Sequence, residues 1–344
     1  MKSFAIWYTT QESENDSNVK VKSDVHFNLW RCDGKKEKAE YFLDIGFQIT
    51  EGINSIKYLN IFVPFFLGDE DIVDLGTILR ENRRLVNAVF NDDCTILENG
   101  LPKMCTIKKS NQNIILRCLN INSGWEKYDV ELFYKGTDGT IIQLNIAQIL
   151  NASSDSSHSD NYFRIRLKGD GINDIIKFTQ PKDRMLQSTF ETRELIDFRV
   201  NEKRIYPEHL LQEVRRGKEL IIEKVHFLLL MNIDNNLQTT GQNYTARMLE
   251  EDIWDTYAEK QNISNNMVAY HWKTTFENTS TNFSLNHLII IKSPRCTTKT
   301  IISFIAFAIL SMGILTNILS ELFTPYIIKF FTDLLIGLYN LSLS

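Results

Sequence analysis

TIISFIAFAILSMGILTNILS, residues 300–320, carries no charged side chain over its 21 positions. As a helix rising about 1.5 Å per residue, it matches the ~30 Å hydrocarbon core of a bilayer. Core helices of soluble domains are usually shorter or keep a polar face, so this run reads as a membrane span. A second block, LFTPYIIKFFTDLLIGLYNLSLS, follows from Leu322 to Ser344. Pro325 lies near its start, where a first-turn proline is tolerated because its missing N–H has no helical partner there. The expectation is a transmembrane helical hairpin over residues 300–344, turning near 320–324. Lys292, Arg295 and Lys299 precede the first span, and the tail after Asp333 is uncharged. By the positive-inside rule the N-terminal region is cytosolic. The richness in Asn, Lys and Ile hints at a bacterial source, so the expected location is the inner membrane.

Each expected span has a polar or small-residue stripe. In the first, Ser303, Ala306, Gly313 and Asn317 share a face; in the second, Lys329, Asp333, Gly337 and Asn340 do. Small residues let membrane helices approach closely, and polar ones hydrogen-bond between them. Charges inside a span are costly and point to function. Lys329 and Asp333 stand one turn apart and can pair. The two stripes are suited to packing within the hairpin, to packing between protomers, or to lining a wet path.

The rest of the chain has globular composition. Of 344 residues, 43% are hydrophobic and 24% charged, so the apolar block is local rather than general. A net charge of -5 excludes a strongly basic nucleic-acid footprint over the whole chain. The five cysteines, Cys32, Cys94, Cys105, Cys118 and Cys296, are odd in number and show no CxxC spacing. They read as buried free thiols in a reducing compartment. The N-terminus has too short an apolar run for a signal peptide.

NASSDSSHSDN, residues 151–161, is the most linker-like segment. It divides the chain into an expected first unit, 1–150, and a second, 162–292, both β-rich and sandwich-like. In the first unit SFAIWYTT, DVHFNLWRC, EYFLDIGFQI and IKYLNIFVPFF have the β-branched and aromatic residues of strands. VELFYKGTDGTIIQLNI reads as a hairpin around Asp138-Gly139. One helix is expected over 69–90, with an apolar stripe of Ile72, Leu75, Leu79, Val86 and Val89. In the second unit YFRIRLKG alternates strictly, with Phe163, Ile165 and Leu167 on one side and Arg164 and Arg166 on the other. Arg199 alternates similarly in ELIDFRVN. Arginine forks suit phosphate or carboxylate, so Arg164, Arg166 and Arg199 are the candidate ligand- or partner-binding residues. Cross-strand pairing with nearby carboxylates is the structural alternative.

No HExxH, GxSxG, P-loop or GxGxxG pattern occurs, and the six histidines are scattered. The reading is of a protein that is not an enzyme, with no catalytic residue, metal or cofactor. A β-rich cytosolic region followed by a C-terminal two-helix hairpin resembles the two-transmembrane effectors of bacterial anti-phage systems, those associated with retrons or cyclic-nucleotide signalling. The resemblance lies in this layout and in residues 300–344, and it transfers no active-site residue. It implies a sensor region, a cytosolic protein or nucleoprotein partner as trigger or inhibitor, and a homo-oligomer that damages the membrane. The rival is an anchored scaffold that recruits a partner.

Overall fold

The computed structural model describes all residues except 1, 11–19, 34–38, 99, 102, 111, 122–127, 152–158, 180–190, 240–242, 259–265, 277–282, 295–297 and 342–344. The chain divides into a β-rich body, residues 1–179 and 193–293, and a second unit of residues 180–192 and 294–344.

The body is mainly β, arranged in three sheets. Four strands form the first: β1 (Ala5–Thr10), β4 (Ile56–Val63), β10 (Gly139–Asn145) and β9 (Val130–Gly136), in that order. The expected hairpin is present, as β9 and β10 pair antiparallel across the turn before Gly139. The largest sheet runs β16 (Thr245–Met248), β17 (Met267–Thr275), β14 (Ile221–Asn232), β2 (Lys22–Cys32), β3 (Glu40–Glu51), β11 (Asp160–Leu167), β8 (Asn113–Arg117), β7 (Met104–Lys108), β6 (Thr95–Glu98). Its tenth strand, β5 (Ile72–Asp74), pairs with β11. The third sheet orders β12 (Ile176–Thr179), β13 (Glu191–Val200), β18 (Leu285–Pro294) and β15 (Asn236–Thr239).

The large sheet corrects the expected division into units 1–150 and 162–292. β2 pairs in parallel with β14, and β3 pairs with β11, so strands from both sides of 151–161 alternate in one sheet. The reason is hydrophobic. β2, β3 and β14 are each buried along most of their length and need neighbours on both edges. Residues 152–158 of the expected linker lie outside the described residues. The third sheet packs on the large one through rings: Phe198 lies 5.0 Å from Phe27 and 4.6 Å from Phe227, and Phe4 lies 4.9 Å from Phe198.

The other face of the large sheet is covered by short helices: α1 (Gly76–Glu81), α2 (Arg83–Phe90) and, later in the chain, α5 (Glu251–Tyr257). Between them in sequence lie α3 (Ile146–Asn151) and α4 (Glu208–Arg216). The single helix expected over 69–90 is a 3-10 turn, β5 and two helices. Ile72 and Val73, both β-branched, extend along β11. Asn82 breaks the helix with extended backbone, and its side chain caps α2 by accepting from the Leu85 N–H.

The second unit's main element is α6 (Thr298–Leu341), one continuous helix of 44 residues. This corrects the expected hairpin, since residues 320–324 are helical and Pro325 sits inside the helix. An interior proline loses one backbone hydrogen bond, whereas an open turn would free several backbone groups in an apolar setting. Thr324 Oγ1 also donates to the Ser320 carbonyl at 2.5 Å, tying down the turn that precedes the proline.

Candidate functional site

The face of the large sheet that the helices cover is polar, and it is built by register. Arg166, Asp44 and Asn28 align across β11, β3 and β2, while Arg164, Gly46, His26, His226 and Lys273 align across β11, β3, β2, β14 and β17. Gly46 makes the second row possible. A Cβ there would sit 2.5 Å from the Tyr162 hydroxyl, which lies 3.4 Å from His26 Nδ1.

Arg164 and Arg166 do not form an open basic face. They are 1% and 0% exposed, in a strand buried almost throughout. Arg166 Nε donates to Asp44 Oδ1 at 2.7 Å and Nη2 to Oδ2 at 3.2 Å; its Nη1 donates to the Tyr257 carbonyl at 2.8 Å. Arg164 donates to the hydroxyls of Tyr257, at 2.6 Å, and Tyr162, at 2.9 Å. Asp44 also accepts from Trp30 Nε1 at 2.9 Å and from the Tyr257 hydroxyl at 2.7 Å. Burial alone pushes the Asp44 carboxyl up, but the charge and hydrogen bonds of Arg166, helped by Arg164, outweigh it and hold the group below its ordinary range. The arginines therefore took the structural alternative: the carboxylate that meets them stands on the neighbouring strand β3, directly across from Arg166, and is sealed by Tyr257 at the end of α5.

Arg199 is likewise committed locally. Its Nε and Nη2 donate to the two Asp197 oxygens at 2.7 and 2.8 Å, on a half-buried stretch of β13. A second buried network escaped the sequence reading. Arg31 Nε donates to Glu194 Oε2 at 2.7 Å and Arg31 Nη2 to Ser293 Oγ at 2.9 Å, and the Tyr41 hydroxyl donates to Glu194. It joins β2 and β3 of the large sheet to β13 and β18 of the third. The available signal for Asp44 was an acid flanked on both sides by apolar residues, Leu43 and Ile45, in EYFLDIGFQI.

Beside the arginines runs a row of histidines. His226 Nδ1 and His271 Nε2 are 3.0 Å apart and share one proton-mediated contact, and the rings of His26 and His226 lie 4.8 Å apart. Burial first, then the neighbouring His226 and Arg164, hold His26 well below its usual pKa. Burial, then His271, lower His226 to about 4. His271 is lowered by burial and Arg247. The row is thus neutral at pH 7. Among the described residues no group of three or more His, Cys, Asp or Glu is placed to hold a metal ion. Cys32, Cys94, Cys105 and Cys118 are buried and free, and burial raises the Cys105 thiol to about 11.

In α6 the apolar side chains are exposed: Phe307 and Leu310 are each 67% accessible, Tyr326 73%. The helix is long and apolar enough over Ile301–Ile336 to cross a membrane by length and composition. Ser303, Gly313 and Asn317 share one face and Lys329 and Asp333 another. At about 100° per residue these faces are roughly 140° apart on a straight helix, so one chain does not bring the two stripes together. Lys329 and Asp333 make no ion pair with each other or with any other described residue. The surroundings of Gly337 and the side chain of Asn340 lie outside what is described, although the backbone there is helical.

No protein-family model matches the chain, and no curated protein matches it. Among solved structures it is similar to the mu homology domain of Fcho1 from Danio rerio with bound Eps15 peptide. That match has 10% sequence identity, covers 85% of this chain and 79% of the other, and has a TM-score of 0.16, too low to support a shared fold.

Proposed function

We propose that this protein is a membrane-anchored, non-enzymatic effector of the kind found in bacterial anti-phage systems. Its β-rich body would be cytosolic and hold a trigger or inhibitory partner, and its C-terminal helix would permeabilise the inner membrane. The observation that carries the membrane part is α6, whose apolar side chains over Ile301–Ile336 are left uncovered by the described residues. Water exposure of such a surface is strongly unfavourable, and a bilayer removes it. The charge-free residues 300–320 supply the crossing, with Lys292, Arg295 and Lys299 on the cytosolic side and Glu321 at the far interface. The defence role rests on the resemblance of layout alone.

A scaffold reading has its own support. The buried arginines are engaged by Asp44, Tyr162 and Tyr257, so what the body offers outward is surface, including Phe133 at 59% exposure on the edge strand β9. One experiment separates the two. Residues 298–344 are exchanged for an unrelated single-span anchor, and membrane potential and dye entry are followed during phage challenge at matched membrane abundance. The effector reading expects depolarisation with the native helix and none with the exchanged one. Equal protection by both chains, without depolarisation, would establish the scaffold instead.

A further inference from the structure

The apolar part of α6 is too long for one bilayer. Its 36 residues, Ile301–Ile336, measure about 54 Å at 1.5 Å per residue, against a hydrocarbon core of about 30 Å. Immersing all of it would need a tilt beyond the ~40° limit usual for membrane helices. If residues 300–320 cross, the segment from Leu322 onward needs another cover. Its side chains are exposed, Leu322 at 57% and Ile336 at 54%.

That segment carries a pattern of its own. Leu322, Tyr326, Lys329, Asp333, Ile336 and Asn340 follow one another at steps of four, three, four, three and four residues. This is the 3.5-residue period of a coiled-coil seam, and polar residues in such a seam fix register and orientation. Every charged or amide side chain after Glu321 falls in it. Lys329 and Asp333 are the only charges, opposite in sign, and neither is paired with another described residue. A surface that presents one cation and one anion a turn apart is complementary to itself.

We propose that the segment from Leu322 to Leu341 is a self-association surface whose occupant is the same segment of a second copy. Both copies enter the membrane from the same side, so the pair is parallel. Lys329 of each copy then meets Asp333 of the other in the adjacent layer, which gives two reciprocal ion pairs. Gly337, having no side chain, permits close approach below them. This rests on the membrane reading above.

The test is charge exchange in the full chain. Asp333→Lys leaves two cations in the seam and Lys329→Asp leaves two anions. Each variant, carrying two different tags, is co-expressed with itself or with the other, and mutual capture from solubilised membranes is measured. Each variant alone is expected to lose self-capture at least tenfold, and the mixture to recover it. If both variants self-associate like the parent, or if the mixture fails to recover, the seam does not pair and lipid alone covers the segment. Membrane sedimentation is scored first. A parent chain absent from the membrane fraction overturns the anchor and this pairing together, whereas a membrane-bound chain with unchanged capture overturns the pairing only.

Discussion

Asp44 is the residue on which the polar face depends. It is fully buried and neutralises Arg166 directly, while its link to Tyr257 organises Arg164. Removing one partner of a buried ion pair leaves the other charge without water or counter-charge, a penalty of about 3–5 kcal/mol. Asp44→Ala is therefore expected to destabilise the body by about that amount in urea unfolding, where a change under 1 kcal/mol would show that the arginines find other partners. The sequence did show that Arg164 and Arg166 share a face of a strand. It did not show that the face is closed, because the carboxylate that closes it lies 122 positions upstream and the tyrosine 91 positions downstream of Arg166.

Elements in this chain were legible where their cause is local. The β9–β10 turn and the strict alternation of β11 follow from residues a few positions apart. The helix expected over 69–90 failed where a capping asparagine and a β-branched stretch outweighed its apolar stripe. The histidine row is a property of three adjacent strands, β2, β14 and β17, that no segment reveals alone. A histidine whose folded pKa lies below its unfolded value contributes stability that is complete above the unfolded value, near 6.5, and is lost as pH falls below it. For His226 that loss runs from 6.5 towards about 4. The thermal midpoint of the body should thus drop between pH 7 and pH 5, and His226→Gln should flatten that drop. An identical slope in parent and variant would mean that the row carries no linkage.

At the scale of the whole molecule, the interleaved sheet makes the body one folding unit. A fragment of residues 1–150 would present β2 without β14 and β3 without β11, leaving two long buried strands with unpaired edges. It should aggregate, or stay unfolded by circular dichroism and size-exclusion chromatography, while residues 1–294 fold. A monomeric, cooperatively unfolding 1–150 fragment would restore the two-unit division.

The sequence by itself determined that this chain is β-rich and that it ends in an apolar helix. Both depend on short-range periodicity and on the transfer energy of a contiguous run, which are written in neighbouring residues. Tertiary structure alone decided three things. It joined β2 to a strand some 200 positions away, it turned two outward-looking arginines into a sealed pair with Asp44, and it carried α6 unbroken through Pro325. The reason is common to the first two. A strand's hydrogen bonds and a buried charge must be satisfied by something, but the chain is free to bring that partner from any distance, and only the packed fold selects it.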